Sequence, residues 1–360
     1  MEEAVNARWI IGWWEALLER WFGLSLHGHQ LKSLIALSRA MARAGCCRAS
    51  AVALCLGSPA TVASGVRRME RFLANPRLDT QALLSRLRQG LLATHAAASG
   101  GRLLLVLDET PLSDRLRVMA VRLIVHGRAY PLAWQCYPAN LPPPMPMPKL
   151  IRRLLCQVAR DLTKDADVTL LTDRGLTWPR LIDLACRLRW HFVGRVQGQT
   201  AVRFPDGSQH SAAGLCPHPG DRCLGVAVQV FHAAGWRKLN LICLWQPQAA
   251  EPWLLVSDLP ASLRRCVDYS RRMRAEESFR DDKTAGLQWQ RSRVRDPAHA
   301  QRLLTLLALA MILCIQLGRR VIRYGLRHRI DPHCPRRLSI FQLGLRHLQY
   351  ALNHATTGPP

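Results

Sequence analysis

Leu103-Leu104-Leu105-Val106-Leu107-Asp108 is an unbroken apolar run closed by a carboxylate. Consecutive apolar residues without alternation mark a strand buried on both faces, the kind found at the centre of an α/β sheet. Val168-Thr169-Leu170-Leu171-Thr172-Asp173 repeats the pattern and again ends on an aspartate. Open α/β sheets place their sites outside the carboxyl ends of the strands, so two strand-end aspartates predict one shared site.

Around these runs the alternation is legible. Val118–Val125 and Ala129–Tyr137 read as strands turning at His126-Gly127-Arg128, and a Pro-rich connector over 142–148 leads into a helix near Lys149–Leu162. After Asp173 come a helix near Trp178–Leu188 and a strand at His191–Val196, giving strand-strand-strand-helix-strand-helix-strand. Residues 199–260 break this order with short runs at Leu224–Phe231, Leu239–Trp245 and Trp253–Val256, an antiparallel β insertion. Helical periodicity resumes at Leu263 and holds to Asn353.

Upstream, residues 1–98 read as helical. Trp9, Trp13, Leu17 and Trp21 recur every four residues and predict a packed helix face. A helix over Val62–Leu73 carries Arg67, Arg68 and Arg71, with Ser58 or Thr61 as its cap and Asn75-Pro76 as its stop. These arginines suit either a DNA backbone or a solvated face. The small-residue stretch Ala96–Arg102 reads as a linker. The expected units are therefore 1–98 (helical, DNA-binding), 99–198 (first part of an α/β core), 199–260 (β insertion), 261–296 (the remaining core helix) and 297–360 (basic, helical).

The charge is lopsided: 50 Lys+Arg against 25 Asp+Glu leave +25, and only five of the basic residues are Lys. Arg forks match phosphate bidentately, and an excess spread along the chain favours a polyanionic partner, although GC-rich coding would also raise the Arg count. Residues 297–360 hold nine Arg and a single acid, Asp331. With 49% apolar residues the composition is that of a globular protein, which excludes disordered, collagenous and coiled-coil chains. The twelve Cys show no CxxC framework and read as reduced core thiols. Cys216-Pro217-His218 with Cys223 lacks a fourth zinc ligand. The apolar run Leu303–Leu317 falls short of the ~20 residues that span a bilayer and reads as a buried helix. Met1-Glu2-Glu3 has no signal-peptide shape, so the expectation is a cytoplasmic protein without a membrane partner.

The segment Tyr269-Ser-Arg-Arg272-Met-Arg-Ala-Glu276-Glu277-Ser-Phe-Arg-Asp-Asp-Lys283 carries the chemistry. On a continuous helix, Tyr269, Arg272, Glu276 and Lys283 fall within a stripe roughly 60° wide, while Glu277 lies about 100° from Glu276. A charge-mixed stripe is the ordinary pattern of a solvated face with intrahelical pairs. Following two strand-end aspartates, it also reads as a site. Asp108, Asp173 and Glu276 brought together would repel and would need cations to stay ionised. Their hard oxygens select Mg²⁺ or Mn²⁺, and two such ions suit an in-line phosphoryl displacement. Arg272 and Lys283 would supply donors to the flanking phosphates. Glu109 should point to the other face of its strand.

The spacing Tyr-(2)-Arg-(3)-Glu-(6)-Lys resembles the signature of DDE transposases of the bacterial insertion-sequence-four-like group, and Tyr269, Arg272, Glu276 and Lys283 match it position for position. The strand ending Leu105-Val106-Leu107-Asp108-Glu109-Thr110 resembles that family's first-aspartate motif. Thr172-Asp173-Arg174-Gly175, with Trp190–Val196, resembles its second. Further likeness lies in Arg67–Leu73 and Leu343–His347, so the resemblance spans residues 60 to 345. It implies a ribonuclease-H-like catalytic core with a β insertion, flanked by helical regions. It also implies Asp108, Asp173 and Glu276 as ligands of two Mg²⁺ or Mn²⁺ ions, and Tyr269, Arg272 and Lys283 as contacts to DNA phosphates. The implied partners are double-stranded DNA (terminal inverted repeats and target DNA) and a second copy in a homodimeric synaptic complex. In a bacterial cell the protein would associate with the nucleoid when bound to DNA. Members often stack an insertion tryptophan on a flipped base, for which Trp245 or Trp253 would serve here, although a core role is the commoner fate of a tryptophan. The rival readings are a metal-dependent nuclease that cuts without joining, and a DNA-binding protein descended from a transposase.

Overall fold

The computed structural model of the chain describes residues 7–57, 60–95, 101–125, 127–283 and 286–354. The chain opens with helices α1 (Ala7–Phe22), α2 (Gly28–Ala44), α3 (Ala49–Leu54), α4 (Val62–Ala74) and α5 (Thr80–His95). The Thr61 hydroxyl caps α4 by accepting from Ser64 N at 3.2 Å. Ser58, the other candidate cap, lies outside the described residues, as do 96–100 of the expected linker and His126 of the expected turn.

Strands β1 (Arg102–Pro111), β2 (Leu116–Val125) and β3 (Arg128–Pro138) form an antiparallel meander. Helix α6 (Met147–Arg160) crosses to β4 (Asp167–Thr172), and α7 (Pro179–Arg187) crosses to β5 (His191–Arg195). β4 lies parallel to both β1 and β5. The strands of the β insertion do not make a sheet of their own. β6 (Ala201–Arg203), β7 (Gln209–Ser211), β8 (Arg222–Val230), β9 (Arg237–Leu244) and β10 (Trp253–Ser257) extend the same sheet. Its order is β3-β2-β1-β4-β5-β10-β9-β8-β6-β7, ten strands in all. The join is β10, antiparallel to β5 on one side and to β9 on the other.

Period-2 alternation divides the strand side chains between two cores. Leu103, Leu105, Leu107, Val168 and Leu170 face the larger core with Leu150, Leu154, Leu181 and Ile182 of α6 and α7. Val106, Leu171, Val193, Ile242 and Leu255 face a smaller one, covered by Cys266, Tyr269 and Ala275 from α8 (Arg264–Ser270) and α9 (Met273–Asp282). This division puts Asp108, two residues beyond Val106, on the face that carries Glu276.

The chain ends with α10 (Pro297–Arg323), α11 (Arg327–Ile330) and α12 (Ile340–His354). α10 is long and apolar enough to cross a membrane, but 94% of its apolar window is buried inside the protein, packed on α2, α4, α5, β3 and α12. The N- and C-terminal helical regions therefore share one core. α10 and α12 meet at two glycines: a Cβ on Gly318 would overlap the Ile340 carbonyl oxygen, and one on Gly344 that of Cys314. In α1 the core-facing residues are Ile10, Trp14, Leu17, Leu18 and Phe22, so the stripe is rotated from the expected Trp9–Trp21 line. Trp9 and Trp13 instead stack on each other at 5.7 Å, and the Arg320 guanidinium lies over both, a cation–π platform on the helix flank.

Candidate active site

The ends of β1 and β4, together with α9, enclose a cleft of about 410 Å³. Asp108, Asp173 and Glu276 line it with Arg272, Arg280 and Lys283. Asp108 is 8% exposed. Its Oδ1 accepts from Glu109 N at 3.0 Å, and its Oδ2 lies 3.4 Å from the Arg272 guanidinium. Burial pushes its carboxyl up to about 6; the facing Asp173 and Glu276 add to that, and Arg272 pulls the other way. Asp108 is thus a carboxylate held where its charge is costly.

Asp173 follows β4 and folds back on its own turn. Its Oδ1 accepts from the backbone N–H groups of Gly175 and Leu176, each at 3.0 Å, an Asx-type turn. Thr177 Oγ1 reaches the Asp173 carbonyl at 2.7 Å and the Thr172 hydroxyl at 2.8 Å. Gly194 on β5 lies directly beneath: a Cβ there would stand 2.5 Å from Thr177 Cγ2 and 2.9 Å from Thr172 Oγ1. The glycine in Trp190–Val196 therefore makes room for the threonines that hold the turn.

The third carboxylate stands on a broken helix rather than the continuous one its spacing predicts. α8 ends at Ser270 and α9 begins at Met273, with Arg271 and Arg272 at the joint. The joint lets Tyr269 dip into the sheet while Glu276 and Lys283 stay at the cleft wall. Tyr269 is 5% exposed, edge-on to Trp253 at 5.5 Å, and is not among the residues lining the cleft. Burial raises its phenol, and a hydrogen bond with Arg272 works against that. Arg272 therefore bonds Tyr269 and also bridges two of the three carboxylates, with Glu276 Oε1 at 2.8 Å. Burial opposes its charge, but Tyr269, Asp108 and Glu276 together hold its pKa above the usual value.

Glu277 points away from the cleft, as the helix geometry predicts. It pairs with Arg128 of β3 at 3.1 Å and with Arg274 at 2.8 Å, which clamps α9 to the sheet edge. The Glu109 carboxylate accepts from Tyr137 and from Arg117, and it too reaches the cleft rim. Thr110, Phe279 and Arg280 line the cleft and escaped the sequence reading. Thr110 follows Asp108 by two positions on the same strand face, and Arg280 follows Glu276 by one helical turn. Both periodicities were available as signals. Among the described residues no three His, Cys, Asp or Glu stand close enough to enclose a metal ion. The donor set nevertheless suits a hard cation, because it consists of three carboxylates, and burial, with a smaller push from Asp173 and Glu276, makes the Asp108 charge costly without one.

Trp245 donates to the Ala249 carbonyl at 3.0 Å and Trp236 sits against Arg203 and His232. Cys216 donates to the Asp221 carbonyl at 3.3 Å. Several C-terminal arginines are engaged inside the protein. Arg302 donates to the Leu73 carbonyl, Arg320 covers Trp9 and Trp13, and Arg327 pairs with buried Asp331 at 3.2 Å. Arg323, Arg329 and Arg337 are exposed.

Compared with curated proteins, the chain finds no match. The Transposase DDE domain family matches residues 125–313, a stretch that begins beyond Asp108 but contains Asp173, Tyr269, Arg272, Glu276 and Lys283. Geometry supplies what the match leaves out, since β1 pairs with β4 so that Asp108 and Asp173 follow directly opposed residues, Leu107 and Thr172. With more than half of its 360 residues matched, the chain belongs to the Transposase DDE domain family.

Proposed function

We propose that this transposase is insertion-sequence-four-like. In this reading it cleaves DNA at the terminal inverted repeats of its element and joins the freed 3′-OH ends to target DNA by two-metal phosphoryl transfer. One observation carries the reading: three carboxylates from three separated stretches of chain line a single cleft with Arg272, Arg280 and Lys283. The order β3-β2-β1-β4-β5, three antiparallel strands followed by two added in parallel, supports a ribonuclease-H-like core.

Asp108, Asp173 and Glu276 would hold two Mg²⁺ or Mn²⁺ ions, which supply Lewis acidity for in-line displacement at phosphorus. The protein's own residues orient the DNA. Arg280 and Lys283 present donors to phosphates at the cleft mouth, and Tyr269 holds the Arg272 fork from behind. The Asx-type turn fixes Asp173 before any ligand arrives, so little reorganisation is left for the reaction itself. The +25 charge suits duplex DNA, with the helical N- and C-terminal regions and a second copy of the chain completing a paired-end complex.

The test is cleavage and joining of a labelled duplex bearing the element end. Asp108→Ala, Asp173→Ala and Glu276→Ala should each reduce cutting to background while binding persists, and only Mg²⁺ or Mn²⁺ should support cutting. Ends that are cut and never joined would make the protein a nuclease. Binding without any cutting would make it a DNA-binding descendant. Full cutting in EDTA would remove the metal reading.

A further inference from the structure

Lys283 caps the C-terminus of α9, where its backbone N–H closes on the Phe279 carbonyl at 3.0 Å. Its side chain crosses to β1, and the ammonium donates to Thr110 Oγ1 at 2.7 Å, a contact between residues 173 positions apart. Thr110 shares a strand face with Asp108, and both it and Lys283 line the cleft. An ammonium on a four-carbon stem is a mobile point charge with three donors and no acceptor. Bonding one donor to a hydroxyl on a paired strand removes most of that mobility. β1 is held in this stretch by its pairing with β2, Thr110 opposite Val118. The bonded pair stands on the cleft wall, Thr110 on β1 and Lys283 at the end of α9.

We propose that Thr110 is a positioning residue that fixes the Lys283 ammonium for contact with a DNA phosphate at the cleavage site. The inference rests on the phosphate-binding role assigned to Lys283 above. Preorganising a charge raises the rate of the bound complex more than it tightens binding, because the gain appears only when the reacting phosphate is in register.

A double-mutant cycle tests this, with single-turnover cleavage and end binding measured separately on the full-length protein. Thr110→Val keeps the β-branched shape and removes the acceptor. It should slow single-turnover cleavage about tenfold while end binding stays within about twofold, and Thr110→Ser should restore the rate. In a Lys283→Ala background Thr110→Val should have no further effect, since residues acting through one contact are non-additive. Thr110→Val cutting at the wild-type rate would overturn the inference and leave the proposed function standing, as would a Thr110→Val loss that multiplies undiminished with that of Lys283→Ala. Lys283→Ala cutting at the wild-type rate would remove the phosphate role itself, and the inference with it.

Discussion

Asp108 and Asp173 follow residues that are direct partners at the end of the β1–β4 ladder, yet the two live under opposite conditions. β1 runs on past Asp108 to Pro111 rather than ending there as its sequence suggests. Asp108 is buried, accepts one backbone N–H and shares a guanidinium with Glu276, and its carboxyl is pushed up to about 6. Asp173 spends one oxygen on two backbone N–H groups of its own turn. One aspartate is electrostatically loaded, and the other is arranged by local hydrogen bonds. The same sequence signal, an apolar run ending in Asp, thus yields one group whose charge is costly where it stands and one whose position is set by its own turn.

The largest expected effect would break the Asp173 side alone. Gly194→Ala places a Cβ against two β-branched side chains that cannot swing clear, and overpacking of this kind costs about 3 kcal/mol. Chemical denaturation should register that loss, and cleavage should fall with it as the Thr172–Thr177 pair is forced apart. A stability within error of wild type would mean the turn does not depend on the glycine.

The second prediction sharpens the Asp108 side. A folded-state value raised from 3.8 to about 6 means that the folded protein holds this proton more tightly than the unfolded chain. The group therefore favours folding at low pH, and that contribution is lost as the pH rises through about 4 to 6. Above that window the ionised carboxylate costs about 3 kcal/mol. Asp108→Asn should accordingly be up to about 3 kcal/mol more stable than wild type at pH 7.5 in EDTA, with the advantage largely gone at pH 4. Adding Mg²⁺ should raise the melting temperature of wild type and leave that of Asp108→Asn nearly unchanged. Equal stabilities at pH 7.5 would mean that Arg272 alone satisfies the charge.

The smallest effect comes from Thr177→Val, which removes the hydroxyl bonded to Thr172 and to the Asp173 carbonyl while keeping the shape. It should cost about 1 kcal/mol. The loss should be the same in wild-type and Asp108→Asn backgrounds, because the two aspartates are held by separate devices. Strong non-additivity would show instead that the turn and the buried carboxylate behave as one unit.

The strands and their aspartates were legible because double burial leaves continuous apolar runs, and a charge ending such a run has few positions open to it. Glu276 and the outward turn of Glu277 were legible from helical spacing. The break at Arg271–Arg272 was not, because angular periodicity treats a helix as straight and isolated. What pulls Tyr269 inward is a core built from Val106, Leu171 and Leu255, drawn from three distant strands. Nor did net charge separate arginines exposed to solvent from those engaged within the protein. Arg320 and Arg327 acquire their roles only when α10 meets the Trp9–Trp13 platform and Asp331 becomes buried. Charge-neutral changes at Arg323 and Arg329 therefore probe DNA contact more cleanly than one at Arg327.

The β10 splice has a mechanical consequence. A load placed on the β8–β9 ribbon reaches Gly194 through two hydrogen-bonded ladders, β9 to β10 and β10 to β5, with no flexible tether between. The ladder slips register at Gly225–Val228, where Ala227 adopts a positive φ of 54° and its N–H turns to the Asn240 side chain. From β9 to β1 the strands are joined by four ladders without a register shift. The insertion and the floor beneath Asp173 are thus parts of one continuous backbone fabric.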